Sequence, residues 1–143
     1  MLDLKKEFLV DSKKEIEGVW FDDFGEGVRI KLARIGNAEY QKELTRLQRP
    51  HRRAIRRGTL SDAISESILN KVVAKTIVLD WEGLAEDGVE IPYSYENCLR
   101  ILNTYKDFRD QIVEIASEMD YFRAELDEEA EGNSESSSSG TQE

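Results

Sequence analysis

Histidine, cysteine and clustered carboxylates are the side chains that most often carry chemistry near neutral pH, and this sequence offers few of them. His51 is the only histidine and Cys98 the only cysteine. One histidine rules out a two-histidine metal site within the chain. His51 lies at helical spacing from Leu44 and Leu47 inside a run of arginines, the setting of an interfacial or solvent-facing imidazole. Cys98 sits beside Leu99, Ile101 and Leu102, the surroundings of a small buried thiol rather than of a nucleophile. The acidic stretch Asp80–Glu90 fails as a calcium loop, because counting from Asp80 puts Leu84 where a fifth-position oxygen ligand is required. Asp22, Asp23 and Glu26 read as turn carboxylates facing water. Gly25-Glu26-Gly27 lacks the third glycine and the lysine of a phosphate cradle. The expectation is a protein with no catalytic residues, no cofactor and no metal.

One constellation stands out. Lys42, Arg46, Arg49, Arg53 and Arg56 recur at spacings of three and four, which lines them along one side of a helix. From Lys42 to Arg57 there are seven basic residues and one acidic, Glu43. Such a face can neutralise phosphates or dock on an acidic protein surface. Against phosphates stand a whole-chain charge of -10, from 20 Lys+Arg and 30 Asp+Glu, and the absence of aromatic side chains among the arginines for bases to stack on. Protein docking is the preferred reading. A small nucleic-acid-binding regulator using Lys42–Arg57 is the alternative.

The elements that must position this face follow from period and punctuation. Val19 and Phe21, then Val28, Ile30 and Leu32, recur every second residue around Gly25-Glu26-Gly27, which predicts a β-hairpin over about 15–35. A lone hairpin is marginal in water, so it must lean on helices. Asn37 is placed to cap a helix over about 38–57, with Tyr40, Leu44 and Leu47 inward; Pro50 either ends it and opens a new one or kinks it. Gly58 closes that unit. Thr59-Leu60-Ser61-Asp62 reads as a capping box for a helix over about 60–79, with Ile64, Ile68, Val72 and Val73 inward. Asp80–Glu90 is expected to be a loop, and Ser94 to cap a short helix over about 95–103. Thr104 and Asp107 resemble a further capping box, opening a long helix over about 105–126.

That last segment has the most regular pattern. Phe108, Ile112, Ile115, Met119, Phe122 and Leu126 alternate steps of four and three, forming one apolar stripe. The stripe is either a core seam against the helix over 60–79 or a surface for a partner or a second copy. Beyond it, 127–143 is acidic and serine-rich with a single apolar residue, Ala130, and is expected to be a disordered tail. From Ala124 onward there are seven acidic residues and no basic one, which leaves the first 123 residues at only -3. The fold expected is mainly α with an N-terminal β-hairpin, an α+β class: a 1–14 N-terminal segment, one domain over 15–126, then the tail. With 39% hydrophobic residues one ordinary core is feasible. No apolar run approaches the roughly 20 residues that span a bilayer, and Met1–Glu7 has no apolar signal core, so a soluble intracellular protein without membrane contact is expected.

Several stretches together resemble the tail assembly chaperones of long-tailed, lambda-like bacteriophages. They are Asn37–Leu44 after the hairpin, Ala74–Leu84, Asp87-Gly88 with Ile91–Asn97, and Phe108-Arg109-Asp110 leading to Phe122–Glu125. The succession from Lys75 to Asn97 is the most specific part. The resemblance implies a non-enzymatic protein that holds the long helical tape measure protein in the host cytoplasm, recruits tail tube subunits as the tube polymerises, and is absent from the mature virion. Self-association into an oligomer is compatible with that role. The protein-binding residues then expected are Lys42, Arg46, Arg49, Arg53 and Arg56 on the basic face and Phe108, Ile112, Ile115, Met119 and Phe122 on the apolar stripe.

Overall fold

Asp3 and Asp11 each hold the amides two and three residues ahead, Lys5 and Lys6, then Lys13 and Lys14, and so open two short helices in a segment for which none was expected. These are α1 (Leu4–Phe8) and α2 (Ser12–Glu17). The structure, a computed structural model, describes residues 1–124. The expected disordered tail over 127–143 and Leu126 of the stripe lie outside the described residues.

The hairpin forms as β1 (Val19–Phe21) and β2 (Arg29–Leu32), antiparallel, with Val19 opposite Leu32 and Phe21 opposite Ile30. Its inward residues Phe21, Ile30 and Leu32 are buried, as alternation requires. On the outward side the Arg29 guanidinium lies 4.3 Å from the Trp20 ring centroid. The partner of the hairpin is a third strand, β3 (Val78–Glu82), on the other edge of β2. This corrects two expectations, a helix reaching residue 79 and a loop from 80. Helix α5 (Asp62–Thr76) stops earlier, with Ile77 as its C-cap and the Ile77 carbonyl accepting from the Ala33 amide at 2.8 Å, and the chain passes at Val78 into a strand on the edge of β2. Trp81 then faces the core, with its indole N–H donating to the Ile91 carbonyl at 2.7 Å and Tyr93 edge-on at 5.0 Å. The rest of the expected loop contains a small hairpin, β4 (Ala85–Glu86) with β5 (Val89–Glu90).

Helix α3 (Ala38–Gln48) begins at Asn37 as expected. The Asn37 side chain accepts from the Glu39 and Tyr40 amides and donates to the carbonyls of Glu15 and Arg34, so one buried amide joins α2, the hairpin exit and α3. Pro50 sits in the first turn of a 3₁₀ helix (Arg49–His51) that separates α3 from α4 (Arg52–Arg57), so the helix expected over 38–57 is divided in two there. Gly58, at φ 69°, ends α4 in the left-handed region. The cap of α5 is Ser61, whose hydroxyl accepts from the Ile64 amide, and not Thr59 of the expected capping box. Ile64 consequently falls in the first turn and is exposed, while Ile68, Val72 and Val73 are buried as expected. Helix α5 is central: α3 packs on one side, α6 (Tyr95–Thr104) on another, and β3 on a third.

Ser94 caps α6 through the Asn97 amide, as expected. The capping box at 104–107 does not form, because the Thr104 hydroxyl donates back to the Arg100 carbonyl. Helix α7 spans Lys106–Ala116, ten residues short of its expected end. The Ala116 carbonyl is taken by the Ile35 amide at 2.9 Å, and a 3₁₀ turn (Met119–Phe122) then swings Phe122 under the sheet beside Phe21. The chain end is tied to its beginning by the Val10–Arg123 bridge and by the Asp11 amide donating to the Phe122 carbonyl. The result is an α+β domain whose one core lies between the three-stranded sheet and α5, α6 and α7.

Candidate protein-binding site

Of the five basic residues expected along one face, the structure leaves four uncommitted. Lys42, Arg49, Arg53 and Arg56 are exposed and make no ion pair among the described residues. Arg46 is different. It grips Glu43 with both Nε (3.0 Å) and Nη2 (2.6 Å), while Lys75 of α5 approaches the same carboxylate at 3.4 Å. These hydrogen bonds, Arg46 first, hold the Glu43 carboxyl below its usual range despite burial, which acts in the opposite direction. Glu43 is thus a buried anchor that orients Arg46 and ties α3 to α5. A recess of about 420 Å³ opens here, walled by Lys42, Arg46, Arg49 and Lys75 with Glu39 and Glu43. After the 3₁₀ turn, α4 carries Arg52, Arg53, Arg56 and Arg57, all exposed, with Ile55 exposed among them. His51 is half-buried in the turn between the two helices.

The apolar stripe does not form a continuous surface. Ile112 and Phe122 are core residues, 1% and 0% exposed. Phe108 and Ile115 are half-buried against that core, Phe108 with its ring edge-to-face on Phe24 at 5.9 Å. Met119 is half-buried beyond the end of α7. The structure therefore gathers the basic residues along α3 and α4 and distributes the apolar ones between the core seam and the turn that follows it.

Two features escaped the sequence reading. Arg109, next to the stripe and 9% exposed, lies among three helices: its Nη1 is 3.2 Å from Glu66 and donates to Asn70 at 3.3 Å, and Asn70 in turn donates to Asn103. Asn70 falls on what periodicity marks as part of a buried helix, so the only available signal was a polar residue amid Ile68, Val72 and Val73. The second is a cleft of about 880 Å³ between the β4–β5 hairpin and the α6–α7 junction. Its wall is pinned by Glu86, which accepts from Arg100 at 2.7 and 3.2 Å and from the Tyr105 hydroxyl. The Arg100 and Tyr105 bonds hold the Glu86 carboxyl below its usual range.

Chemically the molecule offers charge and shape. Burial pushes the Cys98 thiol up to about 12, far from a thiolate at neutral pH. Among the described residues no group of three or more His, Cys, Asp or Glu is placed to hold a metal ion. No helix among them is long and apolar enough to cross a membrane.

Fold and surface thus define a small α+β domain presenting two successive helices, α3 and α4, rich in exposed basic side chains. The YdaY prophage protein family matches residues 35–133, from the exit of the hairpin past the end of α7, and the chain belongs to that family. It is a phage-related protein. No curated protein and no solved structure matches it.

Proposed function

We propose that this prophage protein is a tail assembly chaperone that binds the tape measure protein through the cationic face of α3 and α4 and helps recruit tail tube subunits, without catalysis. The observation that carries the reading is the set Lys42, Arg49, Arg53 and Arg56, exposed and without an acidic partner among the described residues in a chain of net charge -10. Exposed basic side chains concentrated in one segment of an otherwise acidic chain steer it toward acidic surface, and many weak contacts of this kind suit a long repetitive helical client. Membership of a prophage family and the resemblance over Lys75–Asn97 support the same reading. The protein acts in the host cytoplasm while the tail is built and is not retained in the virion.

The test is co-expression of the full chain with the tape measure protein of its own prophage. The client is expected in the soluble fraction and in complex with this chain. Arg49→Glu, Arg53→Glu and Arg56→Glu together should abolish the complex without unfolding the domain. A client that stays insoluble and unbound overturns the proposal. Duplex DNA binding that weakens steeply with salt, with no effect on the client, would instead favour a nucleic-acid regulator.

A further inference from the structure

Cations and carboxylates are unevenly placed along this chain. From Lys42 to Arg57 the one carboxylate is Glu43, and it is already taken by Arg46 and Lys75. Lys42, Arg49, Arg52, Arg53, Arg56 and Arg57 are exposed with no ion pair among the described residues. Like charges this close repel one another, and an anionic partner relieves them.

The densest anionic run belongs to the same chain. Residues 125–131, outside the described residues, include Glu125, Asp127, Glu128, Glu129 and Glu131; Glu135 follows, and no basic residue occurs from 125 to 143. The other acidic stretch, Asp80–Glu90, is partly satisfied, with Glu82 3.6 Å from Arg29 and Glu86 held by Arg100.

Connectivity brings this run to α3. The chain reaches Ala124 beside the N-terminal segment, the Ala124 amide donating to the Leu9 carbonyl and the Asp11 amide to the Phe122 carbonyl. Asp11 opens α2, and one turn further on the Glu15 carbonyl accepts from Asn37, the cap of α3. The exit at Ala124 therefore lies at the same end of the domain as the start of α3. Seven extended residues span about 23–25 Å, whereas Lys42 and Arg49 stand only about 8 and 18 Å along the helix from Asn37. The lysines nearer the exit form no comparable cationic site, because Lys5, Lys6, Lys13 and Lys14 are interleaved with Asp3, Glu7, Asp11, Glu15 and Glu17.

We propose that the acidic segment 125–135 folds back on its own chain and covers the basic side chains of α3 and α4. Its first five carboxylates lie at the recess of Lys42, Arg49 and Lys75, and Glu135 reaches toward Arg53. The inference rests on the reading of α3 and α4 as a surface for acidic partners, and it adds an internal competitor for that surface. Exposed ion pairs are individually weak, but the tether gives them an effective concentration on the order of millimolar. The cover keeps scattered polyanions off and yields to a client that presents many acidic sites at once.

Zero-length carbodiimide coupling of the full chain, without client, tests the contact. In the monomer fraction, amides should join Lys42 or Lys75 to carboxylates of 127–131, in about fivefold or greater excess over those to Lys5, Lys6 and Lys13. Their yield should fall about fivefold when salt is raised from about 20 to about 500 mM, which shortens the Debye length from roughly 20 to roughly 4 Å. The second measurement is affinity for a polyglutamate peptide at low salt. Glu125→Gln, Asp127→Asn, Glu128→Gln, Glu129→Gln and Glu131→Gln together should raise it about tenfold, since they uncover the arginines. Asp23→Asn, Glu26→Gln, Asp87→Asn, Glu90→Gln and Glu118→Gln, at exposed carboxylates elsewhere, make the same change in net charge and should raise it about threefold or less. Coupling that falls on Lys5, Lys6 and Lys13, or only between two chains, overturns the proposal. So does a 125–131 variant that binds the peptide no tighter than the control variant. A client complex that fails while these cross-links form counts against the chaperone reading and leaves this contact standing.

Discussion

Arg109 donates from Nη1 to the Oδ1 of Asn70, 3.3 Å away, and the same nitrogen lies 3.2 Å from Glu66, one turn earlier on α5. The Asn70 amide is spent on Asn103 of α6 at 2.7 Å. Arg109 and Asn70 together therefore join the three helices on one side of the core. The arrangement specifies how α7 lies against α5, since an apolar seam alone tolerates sliding whereas a hydrogen-bonded one does not.

Arg109→Met keeps most of the packing volume but leaves the Asn70 oxygen without its donor. It should destabilise the fold by about 2–4 kcal/mol, the range for breaking a buried charged pair by removing one partner. Adding Asn70→Leu should not add a second full penalty, because the stranded oxygen goes with it. Urea denaturation of the two single variants and the double closes the cycle. Additive costs would show that the two side chains are not coupled.

Acid should loosen the same architecture. Glu43, Glu66 and Glu86 are all held below the ordinary 4.5 by hydrogen bonds to Arg46, Arg109 and Arg100 respectively. With native values depressed, the unfolded chain takes up protons first as pH falls. Their stabilisation is complete above pH 4.5 and is lost as the pH drops below that value and through the native ones. The melting temperature measured from pH 7 to 3 should hold and then fall. Glu43→Gln, at the most buried of the three, should lower stability at pH 7 by about 1–2 kcal/mol and flatten the acid limb.

Two glycines with similar backbone should respond differently. Gly58 (φ 69°) and Gly83 (φ 84°) both lie in the left-handed region, but a Cβ at 58 would meet open space while one at 83 would collide with the Gly27 carbonyl oxygen of the hairpin turn. Gly58→Ala should cost about 1 kcal/mol, the conformational term alone. Gly83→Ala must also push the hairpin turn off the end of β3 and should cost several times as much. Paired thermal melts decide it.

How far the sequence could be read depended on whether an element is decided locally. The period-two stretch from Val19 to Leu32 and the caps Asn37 and Ser94 carry their own signals, and each forms where expected. Strand β3 does not. Ile77, Val78 and Leu79 continue a helical run without a breaker, and what makes Val78–Glu82 a strand is the free edge of β2, a long-range fact. The exposed basic side chains were legible for the same local reason, as spacing on α3 and α4. The capture of Arg46 by Glu43 together with Lys75 was not, because it requires knowing that α3 lies on α5.

Cys98 offers a probe of that core. Its thiol is 1% exposed and pushed up to about 12 by burial. Alkylation at pH 8 should be very slow in the native protein and proceed at the rate of a free thiol in urea. The native rate then reports opening of α6. Rapid modification of the folded protein would place the thiol outside the core.

The helix that stops at Ala116 can be tested through the two residues that periodicity puts on one stripe. Were the helix continuous to 126, Met119 and Phe122 would lie on the same face and truncation of either would open a similar void. In the structure, Met119 is half-buried in a 3₁₀ turn while Phe122 is 0% exposed, 6.4 Å from the Phe21 ring, with its carbonyl bonded to the Asp11 amide. Phe122→Ala should therefore cost about 3–5 kcal/mol, as for a buried phenylalanine, and should also release the N-terminal segment, read as faster amide exchange at Asp11. Met119→Ala should cost about 1 kcal/mol or less, since a half-exposed side chain loses only part of its burial. Equal costs for the two would restore the continuous helix.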